Sequence, residues 1–380
     1  MLKNCLFFFL FTILISNKLN AQANQYDVVI DEIMADPTPQ IGLPTNEWIE
    51  IRNTSQQTFN LKGWRIGDES GQSGAMPSYD LEPDSVVIIC TGSAVAAMKD
   101  FGKTISVTSF PSMDNTGDVI YLKSLENKII HAVHYSDTWY QNELKKDGGW
   151  SLEMIDIKNP CSGFSNWKAS TDLSGGTPGK KNSVDAVNND DVAPKLLRAY
   201  ASDDTNITLF FNEPVDSLKG ATINNYSITN GIGTPVSAVA VAPVFDKVNL
   251  KLSVPLLPNT VYTITATGIA DCANNNINNS DNTARTGLSV IADSLDIVIN
   301  EILFNATPTG TDYVEIYNRS NKIIDLKQLF LANRNSNGEI AGIVPFSEEN
   351  HLLFPGDYLV ATENPAMVKT QFIAKAPEVL

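Results

Sequence analysis

Basic residues are in short supply: 27 Lys and Arg stand against 43 Asp and Glu, for a formal charge of −16. That balance excludes nucleic acid or an anionic lipid surface as the main partner, because both require a basic face. Charge of either sign is sparse, at 18% of 380 residues, whereas Gly and Pro together number 42. Long charged helices are therefore not expected, and short strands joined by turns are. Beyond the first two dozen residues no apolar run is long enough to span a bilayer. The cysteines form no CxxC or Cys/His spacing, which argues against zinc. No GxSxG, HExxH, P-loop or EF-hand pattern occurs. What is present is an ordinary globular apolar fraction, 43%, over a length that suits two or three domains.

The opening MLKNCLFFFLFTILISNKLNAQA reads as a secretory signal. Lys3 supplies the positive start, Leu6 to Ile15 the apolar run, and Ala21-Gln22-Ala23 the small-x-small cleavage site. Residues 1–23 would be removed, leaving 25 basic and 43 acidic residues. Cys5 precedes the apolar run, so it is not a lipoprotein cysteine. Export leaves Cys90, Cys161 and Cys272, an odd number, in an oxidising compartment. The expected disulfide is Cys90–Cys161, with Cys272 free; buried free thiols are the alternative.

Apolar and polar residues alternate in short runs. In Trp48-Ile49-Glu50-Ile51-Arg52 the two isoleucines share a face, as do Val248, Leu250 and Leu252. A helical turn or two is expected around Ser93 to Lys99. One internal repeat stands out. DVVIDEIMADPTP at Asp27 returns as DIVINEILFNATP at Asp296, and EWIEIRN at Glu47 as DYVEIYN at Asp312. Leu61-Lys62 returns as Leu326-Lys327, and the offset falls from 269 to 265. Two copies of one unit thus flank a different middle segment. The stretch GGTPGKKNSVDAVNNDDVAP, with little to bury, reads as a linker. The units expected are 24–184, a linker at 185–192, a middle domain at 193–290 and a second copy at 296–380. That copy stops part-way through the pattern, as a fragment or truncated gene would.

The runs VVIDEIMADPTP, EWIEIRN, NLKGWRIGD, GWSLEMIDIKNPCSGFSNWKAS and GGTPGKKNSV resemble the lamin tail domain family, in its secreted Bacteroidetes-type form. The second copy resembles the first half of that domain, with LKGWRI replaced by LKQLFL. The middle segment, through FNEPVD, NNYSITNGIG and LPNTVYTITATGIADCANNNI, resembles a bacterial Ig-like domain of the S-layer type. These resemblances imply an all-β chain of tandem immunoglobulin-like β-sandwiches. They imply no catalysis.

Four constellations invite a chemical reading. His131 and His134 are three apart in a strand-like run, so they face opposite ways and do not share a metal. Glu32, Asp36, Glu47 and Glu50 cluster as a carboxylate pair of a hydrolase would. However, Glu32 and Glu50 return in the repeat as Glu301 and Glu315, which favours a structural role such as bonding backbone amides at a strand end. Trp64, Trp139, Tyr140, Trp150 and Trp167 would stack on sugars if exposed together, but are core residues otherwise. The loop from Gly67 to Gly74 is read as a flexible turn. Lastly, Asp190 and Asp191 in DDVAP, with Asp271 and Asn274 in DCAN, resemble the calcium-binding pattern of adhesin Ig repeats. Hard oxygen ligands at a domain junction suit Ca²⁺, and no other cofactor is suggested; against it stands the reading of these residues as solvated turns with no cofactor. Asp203, Asp204 and Asn275 belong to the same acidic and amide set.

The function expected is a non-catalytic, exported, modular β-sandwich protein, secreted or at the cell surface. It would serve as a spacer or as an adhesion or interaction module toward an extracellular protein or glycan. The rival readings are a targeting region of an extracellular hydrolase or nuclease, and a carbohydrate-binding module.

Overall fold

The computed structural model describes residues 22–308 and 310–372. The signal segment expected at 1–23 lies almost entirely outside them. Among the described residues no helix is long and apolar enough to cross a membrane.

The first unit is a two-layer β-structure. One layer is a six-stranded sheet in the order Trp167–Ala169, Leu152–Met154, Val28–Met34, Trp48–Asn53, Val86–Thr91, Thr104–Val107. The other joins Arg65–Gly67, Gly117–Lys123 and Ile129–Ser136. Ile30, Ile33, Ile49 and Ile51 from the first layer pack with Ile66, Ile120, Leu122 and Val133 from the second. Every residue of Val28–Met34 is buried, because the back of this sheet is covered as well. The expected helix is there, shortened to Val95–Met98. It crosses between the parallel strands Val86–Thr91 and Thr104–Val107 and buries Met98 against Met34, Trp48, Ile88 and Cys90.

The Gly/Asn/Asp-rich stretch after this unit is not a free linker. Gly175, Gly176, Thr177 and Pro178 are buried, and they cover the back of the sheet. The residues that follow are pinned too. Ala186 N–H donates to Ile155 O (3.0 Å), and Asn188 N–H donates to the Asp156 carboxylate (3.0 Å). Polar side chains, rather than apolar burial, hold this segment, so a reading based on hydrophobicity overlooks its anchorage.

The middle unit packs a four-stranded sheet against a three-stranded one. The first runs in the order Leu196–Ala201, Asn206–Phe211, Lys247–Lys251, Ser237–Ala240; the second is Tyr226–Ile228, Tyr262–Ala266, Thr283–Thr286. The alternation in Val248, Leu250 and Leu252 places all three in the core between them, with Leu209 and Ile264.

The third unit repeats the first in detail. Ile297–Leu303 pairs with Tyr313–Asn318 through the same register as Val28–Met34 with Trp48–Asn53. Each pair shifts register at the same place, between Ile30 and Glu32 and between Ile299 and Glu301. Even a buried polar loop is copied: the Asn53 side chain donates to Leu81 O (2.9 Å), and Asn318 to Leu353 O (3.0 Å). One difference matters. Ile30 and Ile33 are 0% exposed, whereas their counterparts Ile299 and Ile302 are 56% and 54% exposed.

The disulfide differs from expectation. Cys161 is bonded to Cys272, with Cα atoms 6.2 Å apart, and Cys90 is a free, buried thiol. Cys90 sits opposite Trp48 on the sheet, enclosed under the short helix, where burial pushes its thiol up to about 11. Cys161 lies in a loop at the opposite margin of the unit, facing the middle domain. The bridge therefore joins two units rather than closing one.

Candidate functional site

The first and middle units meet at an acidic junction. Three segments build it: the end of the anchored stretch, which carries Asp190; the turn after Asn206–Phe211, which carries Glu213; and the turn after Ile269-Ala270, which carries Asp271. One carboxylate oxygen from each lies within 4.8 Å of the others. Asn275 ties two of the segments together. Its side-chain amide donates to the Asp271 carboxylate (2.8 Å) and to Asp190 O (2.9 Å), and its N–H donates to Asp271 (2.8 Å). From the first unit, Ser162 Oγ donates to Asp190 (2.8 Å).

Electrostatics here are unfavourable without a counter-charge. Burial, and then the neighbouring charges of Asp190 and Asp271, push the Glu213 carboxyl up to about 7. A three-carboxylate set with amide and carbonyl oxygens nearby is the donor chemistry of a hard divalent cation such as Ca²⁺. The disulfide frames it: Cys272 follows Asp271 in sequence, and Cys161 precedes Ser162.

Of the sequence-expected ligands, Asp190 and Asp271 are brought together. Asp191 is exposed and stands outside the group. Asn274 is exposed in a left-handed turn (φ 69°), and its side-chain oxygen accepts from Lys219 (3.4 Å). Asp203 is a turn residue: its carboxylate accepts from the Asn206 side-chain amide (2.6 Å), Thr205 N–H (2.7 Å) and Asn206 N–H (2.8 Å), which lowers it to about 2. Glu213 was not anticipated. It lies within FNEPVD, a motif that reads as fold rather than as a ligand.

A second carboxylate group lies inside the first unit. Asp31, Glu32, Glu50 and Glu153 are all fully buried on the back of the large sheet. The Gly175–Val184 segment caps them. Thr177 N–H and Ser151 Oγ donate to Glu32 (2.8 and 2.6 Å), and Gly179 N–H donates to Glu50 (2.5 Å). Ser183 Oγ, Thr177 Oγ1 and Val184 N–H donate to Glu153 (2.7, 2.9 and 3.1 Å). Asp31 pairs with Arg52 (2.8 Å). Burial raises Glu32 well above the usual carboxylate range and Glu50 to about 8, with neighbouring carboxylates adding to both. These groups face a buried loop, not a cleft. They staple the end of the chain segment to the sheet, the amide-bonding role expected for Glu32 and Glu50. Glu153 extends that role and was missed, since LEM carries no repeat partner. Asp36 and Glu47 stand apart: Asp36 accepts from Thr38 and Asn115 at the surface.

The histidines separate as their spacing requires. His131 is fully buried: Nδ1 accepts from Ile30 N–H (2.8 Å) and Nε2–H donates to Pro160 O (3.0 Å). Burial lowers it to about 4. His134 is exposed. Trp64, Tyr140 and Trp167 are core residues, and Trp139 and Trp150 pack partly buried against them. The five aromatics form no shared sugar-stacking platform.

Comparison with known proteins gives two family matches. Residues 21–137 match the lamin tail domain, and residues 187–286 match a bacterial Ig-like domain. No curated protein matches the chain. Among solved structures, the N-terminal part of the bacterial S-layer protein SbsC is 18% identical, over 45% of this chain and 41% of that one, with a TM-score of 0.24. Domains 1–6 of the surface layer protein SbsC are 16% identical, over 46% of this chain and 24% of that one, also at 0.24. The chain thus spans less than half the length of either. A lamin-tail-type module followed by a bacterial Ig-like module makes this a modular β-sandwich protein of non-catalytic domain types.

Proposed function

We propose that this chain is an exported spacer and interaction protein. Its modules, 24–184, 193–290 and 296–380, are held in a fixed alignment at the cell surface or outside the cell. The observation that carries this reading is the acidic junction bridged by Cys161–Cys272. A disulfide between domains needs an oxidising compartment, which agrees with an N-terminal export signal. Ca²⁺ held by Asp190, Glu213 and Asp271 would remove the carboxylate repulsion and lock the two units together. The second junction is docked as well: Arg285 makes a bidentate pair with Asp357 (3.1 and 2.8 Å), and Ile323, Leu352 and Phe354 pack with Tyr200 and Val261. Fixed modules present their loop ends to an extracellular protein or glycan at a set distance. Isothermal titration of Ca²⁺ into the chelator-stripped chain tests the junction, read together with small-angle scattering. Binding that stiffens the chain, and is lost in Asp271→Asn, is expected. No binding at millimolar Ca²⁺, with unchanged scattering, would overturn the cation lock.

A further inference from the structure

We infer that the strap at 175–184 is a proton-held latch: Glu32 and Glu50 keep bound protons while the strap is seated on the first unit's sheet, and giving them up frees the strap and slackens the chain running on to Asp190. Glu50, Glu32 and Glu153 stand side by side on three neighbouring strands, because Glu32 is the cross-strand partner of both the others. All three are 0% exposed, and like charges placed directly opposite one another repel. The strap sits directly on this row: a Cβ added at Gly176 would lie 2.8 Å from Glu32 Oε1 and from Ser151 Oγ. Its holding bonds end on the same carboxyls, from Thr177 N–H to Glu32, Gly179 N–H to Glu50, and Ser183 Oγ and Val184 N–H to Glu153.

With every carboxyl ionised, the row runs short of hydrogens. Thr177 Oγ1 has one hydrogen and two acceptors in reach, Glu153 at 2.9 Å and Glu32 Oε2 at 3.5 Å; the nearer takes it. Glu50 Oε1 is buried and finds no donor among the described residues. The same holds for Asn182 Oδ1, whose amide is committed to Asp31 and to Met154 O. A proton on Glu32 or Glu50 turns an acceptor into a donor and removes a like charge at once. The other charges nearby do not supply this. Arg52 is paired with Asp31 (2.8 Å) and Asp84 (3.3 Å), while Asp31 and Glu153 add to the repulsion. Lys145, near Glu153, donates to Ser170 O; Lys181 pairs with Asp185 (2.6 Å); Lys103 and Lys180 are exposed. Burial, with the neighbouring carboxylates adding, accordingly lifts Glu50 to about 8 and Glu32 well above the usual range. A freed strap would put the row in water, where carboxyls ionise, so rising pH favours release. Release loosens Ala186 and Asn188 next, and through them Asp190 at the junction. The latch rests on neither export nor cation binding.

Amide exchange on the chain lacking its first 23 residues, in chelator, tests the latch. Protection factors, which remove the intrinsic pH dependence of exchange, should fall at Thr177, Gly179 and Val184 by about tenfold or more per pH unit between about pH 5 and pH 8. Asn188 should follow, and the Gly117–Lys123 amides should stay unchanged. Glu50→Gln takes one proton out of the equilibrium, so its fall should be shallower by about tenfold per pH unit. Infrared difference spectra of the parent need no variant: a protonated-carboxyl C=O band should be present at about pH 6 and shrink by about pH 9. The inference fails if that band is missing at the lower pH or if strap protection is flat with pH. It fails equally if Gly117–Lys123 loses protection in step, which would be unfolding of the whole unit, or if a folded Glu50→Gln keeps the parent's slope. None of these outcomes bears on the calcium titration, which tests the junction separately.

Discussion

Replacing Cys272 with Ser tests the covalent link between the first two units. The bridged residues are 111 apart. By the chain-entropy relation a loop of that size contributes about 4.7 kcal/mol against unfolding. Part of the loop, up to Asp190, is already pinned to the first unit by the Asn188 and Ser162 hydrogen bonds. The effective loop for unfolding the middle unit is therefore about 80 residues, and the logarithmic dependence leaves about 4.5 kcal/mol. For a domain of ~100 residues that corresponds to a melting temperature lower by roughly 18–36 °C. Differential scanning calorimetry should show the middle-unit transition move while the first-unit transition stays within about 3 °C. Thiol counting on the unfolded, unreduced parent without its signal should find one free cysteine, Cys90. Three free thiols, a Cys90–Cys161 cross-linked peptide by mass spectrometry, or a melting shift under about 3 °C would refute the reasoning.

Glu213 makes the junction pH-dependent. Its folded value, about 7, exceeds the unfolded one, so its stabilising contribution is complete below about pH 4.5 and is lost as pH rises through 7. Thermal melts in chelator should fall over that window, Glu213→Gln should flatten the fall, and millimolar Ca²⁺ should offset it; a pH-independent parent refutes this. Glu50 has the same sign, with its contribution lost progressively between about pH 4.5 and about pH 8, so Glu50→Gln should make the first unit more resistant to alkali than the parent in denaturant titrations at pH 9. His131 has the opposite sign. Its folded value, about 4, lies below the unfolded one, so stability present above pH 6.5 is lost as pH falls toward 4. His131→Ala should cost about 2–4 kcal/mol at neutral pH, because Ile30 N–H and Pro160 O lose their partner; urea denaturation measures it, and a cost under about 0.5 kcal/mol contradicts the assignment. Finally, amides of Ile297–Leu303 should exchange at least tenfold faster than those of Val28–Met34, and equal protection would show that the exposed edge is covered.

Much of this architecture was legible in the chain itself. Strand alternation placed Ile49, Ile51, Val248 and Leu250, because burial of one sheet face imposes a period of two. The repeat matched Glu301 to Glu32 and Glu315 to Glu50, and the structure gives both pairs the same register, since identical patterns select identical registers. What escaped were the non-local polar contacts. Cys272 lies in another domain from Cys161, and their proximity arises only from how the two units dock. Glu153 and Thr177 are held by hydrogen bonds of 2.7–3.1 Å that hydropathy does not register. Glu213 joins Asp190 and Asp271 only because three turns converge. Asp191 and Asn274 were expected in the group from the resemblance to the adhesin pattern, yet both are exposed outside it, because neighbouring residues in a turn point in different directions.

The position of Cys161–Cys272 also governs how the chain carries load. Tension applied to the two ends enters the first unit, crosses at Cys161 and leaves through Cys272. The segment between them, 111 residues, is bypassed. At about 3.4 Å per residue, roughly 370 Å of contour stays out of reach until the sulfurs separate. In a force–extension trace the oxidised protein should therefore lengthen far less than its domain count implies, and adding a reductant should release that hidden length. The bridge is a mechanical shunt, making extensibility under pull a property of the surrounding redox potential.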